Sequence, residues 1–275
     1  MMRVRRALGA AALLLPLVSA ACGVPLMKLP SGPRTPAPDI SAALDQATRG
    51  CRAIHTLTAE ISVSGNVATQ SLRARLLAGV AAPADLFLDA PAPFGASVFQ
   101  LAARGDEATL LLPRDRRVLT GAHTADVIEA IAGIPLTAED LRMALTGCAR
   151  TNAASGGESV GENWRIVPGD EEIYLHRETA ALPWRVAAVT HQMGGGAGWR
   201  AEYQDFRNGW PSTVRFVSLQ SGQFDLRLSI SQVETNTALD PGIFRVSVPA
   251  GFGPVTLDEL RQSGPLAHAE RDRQR

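Results

Sequence analysis

The chain has 275 residues with 27 basic and 27 acidic side chains, so its formal charge is zero. Nothing in that balance points to nucleic acid, and the one lysine, Lys28, stands among arginines as a matter of composition rather than of a site. With 45% apolar residues the chain can bury a core of ordinary size.

Residues 1–21 have the three parts of an export signal. Arg3, Arg5 and Arg6 make a positive start. Residues 7–18 are apolar but shorter than the roughly 20 residues a spanning helix needs. Ser19-Ala20-Ala21 then leads straight into Cys22. An ordinary cleavage site needs only the small residues, whereas lipoprotein processing requires the cysteine. Cys22 is therefore expected to be the acylated first residue of the mature chain. Acyl chains contribute about 0.8 kcal/mol per buried methylene, so several of them anchor stably without a transmembrane helix. Residues 22–38, with five prolines, read as a tether; residues 39–254 as one folded domain; residues 255–275 as a polar tail.

Within the domain, Ile40, Leu44, Ala47, Cys51 and Ile54 recur at helical spacing, with Asp39 as N-cap. The period changes to two at Leu57 and again around Leu72, Ala74 and Leu76, the pattern of strands with one wet face. Short strands are predicted at 86–89, 97–101, 109–112 and 116–119. Two helices follow. One carries Val127, Ile128 and Ile131 and stops at Gly133; the other starts at the Thr137/Asp140 capping box, carries Leu141, Ala144, Leu145 and Cys148, and stops at Gly147. Residues 151–163 read as a loop. Strands are predicted again at 164–167, 173–176, 184–189, 199–203, 213–219, 224–233 and 244–248, the clearest being the alternation Phe224, Leu226, Leu228, Ile230. About a dozen short antiparallel strands with three helices describe a mainly β, α+β fold: a strongly curved sheet or incomplete barrel whose helices cover the apolar side. Such an interior is either a lipid-sized cavity or filled by side chains, and periodicity does not choose.

Cys51 and Cys148 are the remaining cysteines. In an oxidising compartment they are expected to pair, closing a 97-residue loop; two separate buried thiols are the alternative. The chain-entropy model puts such a bridge at roughly 4–5 kcal/mol before any native strain.

Enzyme and metal signals are weak. Gly157-Glu158-Ser159-Val160-Gly161 matches the pattern of a serine nucleophile, but that chemistry needs a strand before the serine and a helix after it, and here a polar loop and a strand flank it. The five histidines, His176, His191 and His268 among them, lack metal-ligand spacing. Gly194-Gly195-Gly196-Ala197-Gly198 lacks the lysine of a phosphate loop and reads as a hairpin connection. Neither catalysis, metal nor cofactor is expected. Trp164, Trp184, Trp199 and Trp210 fit a β core as well as a pocket wall, and Arg73, Arg75, Arg200 and Arg215 read as solvated faces.

Four stretches together resemble the LolA/LolB lipoprotein-carrier superfamily. They are Asp89-Ala90-Pro91-Ala92-Pro93-Phe94-Gly95; Ile131-Ala132-Gly133-Ile134-Pro135-Leu136 running on to Gly147; Trp199 to Tyr203 followed by Trp210-Pro211 and Val214-Arg215-Phe216; and residues 236–249 with Phe244 and Pro249. The resemblance spans about residues 39–251. It implies an incomplete barrel with a helical lid that holds acyl chains of lipoproteins, takes them from a periplasmic LolA-like carrier and releases them into the outer membrane. Cys22 would anchor the protein there, facing the periplasm. Phe94, at the position of the membrane-delivery loop, would enter lipid; ordinary core is its other reading. Expected cavity-lining residues are Ile61, Val63, Leu86, Leu88, Trp199, Tyr203, Phe224, Leu226, Leu228 and Ile230. The candidate disulfide and Phe94 in place of leucine depart from LolB, and the long ending is closer to LolA. Two other readings stay open: an anchored structural subunit of an envelope complex with a filled core, and a carrier of another lipid or glycolipid.

Overall fold

The computed structural model describes residues 25–92, 96–150 and 156–263. The export signal, Cys22 and Phe94 lie outside them. In chain order the elements are β1 (Thr35–Pro36), α1 (Ile40–Arg52), β2 (Thr56–Val67), β3 (Gln70–Ala81), β4 (Asp85–Ala90), β5 (Phe99–Arg104), β6 (Glu107–Leu112), β7 (Arg117–His123), α2 (Thr124–Ala132), α3 (Ala138–Thr146), β8 (Glu158–Val160), β9 (Trp164–Val167), β10 (Glu171–His176), β11 (Arg185–Gln192), β12 (Gly198–Arg207), β13 (Trp210–Ser218), β14 (Phe224–Thr235), β15 (Gly253–Pro254) and α4 (Leu257–Ser263).

All fifteen strands form one open sheet, ordered β1-β8-β9-β10-β11-β12-β13-β14-β2-β3-β4-β5-β6-β7-β15. It consists of two antiparallel meanders, β2–β7 and β8–β14, joined where β14 pairs with β2. Because β7 and β8 lie near opposite edges, the chain between them must cross from one side of the sheet to the other. It does so as α2 and α3, which pack on the apolar, concave face. The period-two pattern explains which face that is: Leu57, Ala59, Ile61 and Val63 of β2 point inward beside Leu72, Ala74 and Leu76 of β3.

The helix boundaries follow the local chemistry. Thr137 accepts from the Asp140 N–H while the Asp140 carboxylate accepts from the Thr137 N–H, a complete capping box. Gly133 and Gly147 end their helices in left-handed backbone, and both press on the sheet. A Cβ on Gly133 would lie 2.4 Å from Val67, and one on Gly147 2.6 Å from Pro211. Cys51 and Cys148 are joined by a disulfide, which ties the end of α1 to the chain leaving α3.

Several expectations differ from the fold. Asp39 begins α1 without a side-chain cap; its carboxylate instead pairs with both ends of the Arg165 guanidinium, at 2.7 and 2.9 Å. That cation holds Asp39 below the ordinary carboxylate range, against the opposing effect of burial. The expected loop 151–163 contains β8, because residues 158–160 find partners on both sides in β1 and β9. The strand expected at 244–248 is absent: Pro241–Phe244 is a 3-10 turn led by proline and capped by Asp240, and Phe244 alone is buried. The described part of the segment read as a tether lies against the convex face, and β1 adds to the sheet edge. Likewise, α4 lies in the expected tail and packs on α2, with Leu260 fully buried. Of the arginines read as solvated, Arg73 and Arg75 are exposed, Arg75 pairing with Glu60, whereas Arg200 pairs with the buried Glu202 and Arg215 with Asp225.

Candidate functional site

The concave face and the helices line an apolar cavity of about 60 Å³. Its sheet wall comes from Ile61 and Val63 of β2, Leu76 of β3, Leu88 of β4, Phe99 of β5, Phe216 of β13, and Leu226 and Leu228 of β14. Ile128, Ile131 and Ala132 of α2, the Ile134–Leu136 connection, and Leu141 of α3 form its roof. Every described residue that lines it is apolar, so what these walls offer is non-directional apolar burial. A second pocket of about 190 Å³ lies on the other side of the last turn of α2, between Glu129–Gly133, Arg261 and the β2–β3 turn. Ile131 and Ala132 line both spaces. The last turn of α2 is thus the partition between an outer mouth and the inner cavity.

Five of the ten residues expected to line a cavity do so: Ile61, Val63, Leu88, Leu226 and Leu228. Leu86, Trp199, Tyr203, Phe224 and Ile230 share the same concave core but do not bound the cavity. Trp199 stacks on His191 and meets Phe216 edge-on. Tyr203 is buried, which raises its phenol well above the ordinary range. Phe224 opens toward a groove beside Leu26. Sequence reasoning missed Leu76, Phe99, Phe216 and the entire roof as cavity wall. The signal was present in the apolar run 131–136, whose residues read only as a turn between helices.

A polar cluster fixes α3 at the side of this chamber. The Arg150 guanidinium donates to Asp140 at 2.7 Å, to Glu139 at 3.2 Å, and to Glu171 of β10. Burial works against the charge on Arg150, but its three carboxylates outweigh it and hold the pKa above the ordinary arginine value. With the disulfide, this cluster fastens α1 and α3 to each other and to the sheet. On α2, Glu129 meets Arg261 of α4 at the surface, at 3.2 Å.

A wider opening lies elsewhere. The β11–β12 ladder runs only over 188–192 and 198–202, and beyond it the strands splay. The cleft there holds about 520 Å³ and is bounded by Trp164, His176, Arg177, Glu178, Arg185 and Asp205 among others. Met27, Leu182, Pro183, Ala187, Tyr203 and Phe206 share its wall with these charged side chains, so the cleft is amphipathic, unlike the apolar cavity under the helices. Ser159 sits in edge strand β8, its hydroxyl 2.9 Å from that of Thr35, not on a strand-to-helix turn. No group of three metal-ligating side chains occurs among the described residues, and no helix there is long and apolar enough to cross a membrane.

No protein-family model matches the sequence, and no curated protein sequence does. The likeness lies in the fold. A LolA superfamily protein from Nitrosomonas europaea superposes with a TM-score of 0.51 at 10% identity, over 75% of this chain and 97% of that one. A DUF1329 family protein from Desulfovibrio piger matches at 0.49 and 13%, over 76% and 98%. A putative outer membrane lipoprotein-sorting protein domain from Vibrio parahaemolyticus matches at 0.46 and 13%, over 74% and 96%. The chain shares the fold of the LolA superfamily, as the sequence resemblance implied.

Proposed function

We propose that this chain is an anchored lipoprotein that binds acyl chains of other lipoproteins between the concave sheet and α2, and delivers them to the outer membrane. The carrying observation is the apolar chamber at the centre of the fold, separated from an outer mouth by one helical turn. The Cys22 motif and the shared fold support the anchor and the cargo class. Pockets for small molecules run from about 300 to 1,000 Å³, so a chamber of about 60 Å³ has to enlarge before it can hold an acyl chain. Accepting a chain requires α2 to move outward, since α1 and α3 are cross-linked and ion-paired in place.

The same small volume favours a second reading, an anchored structural subunit whose interior is permanently filled. Mass spectrometry of lipid co-purified with the mature chain carrying Cys22→Ser separates the two. Acylated species bound in stoichiometric amounts are expected. A lipid-free protein that takes up no acylated peptide on mixing would establish the filled-core reading instead.

A further inference from the structure

We propose that the end of the sheet made by the β2–β3 and β13–β14 turns rests on the bilayer, with Leu26 and Leu219 in contact with lipid. The inference depends on Cys22 being the anchor, as proposed above, and not on the identity of the cargo.

Of the five exposed large aliphatic side chains among the described residues, two meet at this end, while Leu77, Leu182 and Val248 stand apart from them. Leu26 is 49% and Leu219 41% exposed, and they flank a groove of about 460 Å³ that also involves Ala68, Val217, Gly222 and Phe224. The two turns are bound together, the Ala68 N–H donating to Gln223 O at 2.7 Å. One exposed leucine means little on any protein surface; two on a shared groove offer a small apolar contact surface.

The chain just upstream points to what that surface meets. From Met27 onward the N-terminal segment is fastened down. The Met27 N–H donates to both oxygens of the buried Glu202 at 3.1 and 3.0 Å, and Arg200, paired with that carboxylate, donates to Met27 O at 3.4 Å. Met27 and Leu29 pack on Ile166, Tyr174 and Ala188. Arg34 pairs with Glu158 and Glu172, and β1 joins β8. A free tether over residues 22–38 could hold the domain as far as roughly 60 Å from the membrane, in any orientation. The three Cα-to-Cα steps from Cys22 to Pro25 reach at most about 11 Å. The headgroup layer itself is only about 5–8 Å thick on each side. The groove beside Leu26 is therefore pressed to the interface that holds the anchor, and the aliphatic pair is what meets it.

This placement orients the chamber. The outer mouth is bounded by Val67, Gln70 and Leu72 of the same β2–β3 turn, on its concave side, while Leu26 lies near Asn66 and Ala68 on the other side. Anchor and mouth thus share one end of the sheet, and a chain leaving past α2 enters lipid without crossing water.

The test uses the full acylated protein in vesicles of phosphatidylethanolamine and phosphatidylglycerol, with nitroxide labels on Leu219→Cys, Gln70→Cys and Glu178→Cys. The native cysteines are acylated or in the disulfide, so only the introduced thiol reacts. Residue 178 lies in the β10–β11 turn, at the opposite end of the strands. Unchanged melting temperatures confirm that these surface variants fold. At 219 and 70, collision with dissolved oxygen should exceed collision with a water-soluble nickel chelate, and at 178 the order should reverse. Labels at 219 and 70 as wet as that at 178 overturn the inference and leave acyl binding untouched. Dipolar broadening between 219 labels in water overturns it in favour of a second copy on the groove. A mature protein without acyl groups on Cys22 overturns it at its premise. Lipid-side labels on a protein that binds no cargo would uphold it while refuting the cargo reading.

Discussion

If α2 is the moving wall of the chamber, acyl-chain length should set a threshold for binding, and the structure fixes its size. Lifting α2 exposes Val127, Ile128 and Ile131, which are 0%, 5% and 5% exposed. Each such side chain contributes about 1.5–3 kcal/mol through burial, so opening costs roughly 5–9 kcal/mol. The exposed Glu129–Arg261 pair adds less than about 1 kcal/mol. A bound chain returns about 0.8 kcal/mol per buried methylene, so about 6 to 11 methylenes offset the opening. Calorimetric titration of the mature Cys22→Ser chain with fatty acids of increasing length should show no binding for butyrate or hexanoate. Affinity should rise steeply beyond about ten carbons. Ile131→Ala removes part of the opening cost and should move the threshold down by two or three methylenes, while destabilising the fold by roughly 2–4 kcal/mol. Equal affinity for butyrate and palmitate would refute the moving-wall argument. So would the absence of binding at every length up to palmitate.

Other consequences are independent of cargo. The disulfide closes 97 residues, for which chain entropy gives about 4.7 kcal/mol. Cys51→Ala/Cys148→Ala should therefore lower the melting temperature by on the order of 10 °C in a domain of this size, and a change under 2 °C would contradict that ledger. Gly133→Ala places a methyl group against Val67 in left-handed backbone, so the urea midpoint should fall by an amount equal to about 1–3 kcal/mol. An unchanged midpoint would show that α2 does not press on β2 there. The chain has two tyrosines, Tyr174 and Tyr203, and burial raises both, Tyr174 to about 12 and Tyr203 further. An unfolded tyrosine ionises near 10, so between those values the unfolded chain has released protons that the folded chain retains. Stability should be intact below pH 10 and lost progressively above it. Phenolate absorbance should appear only as the protein unfolds, and titration of either tyrosine near pH 10 in folded protein would refute the burial argument.

The strands were legible because their chemistry is local. The alternation in β2, β3 and β14 and the glycines and capping box around α2 and α3 each carry their own signal within a few residues. The cavity wall was half legible for a related reason. Alternation says that Ile61 and Ile230 face inward, but where along the strand the helices leave a gap depends on how α2 and α3 cross the sheet. That crossing places Ile61 at the gap and Ile230 against solid packing. The N-terminal segment was misread because proline content predicts an unbonded backbone, and a segment with few N–H groups to satisfy is equally suited to lie over a sheet face. Here the Met27 N–H meets the buried Glu202 carboxylate, and two aliphatic side chains cover Ile166 and Ala188. The carboxylate lies 175 residues away in sequence and no short-range pattern announces it. A residue such as Glu202, fully buried between two strands' worth of apolar neighbours, is affordable only because Arg200 and the strap satisfy it. Its presence is therefore the physical argument that the strap is part of the domain: removing residues 25–34 would leave a buried carboxylate with one partner in place of two.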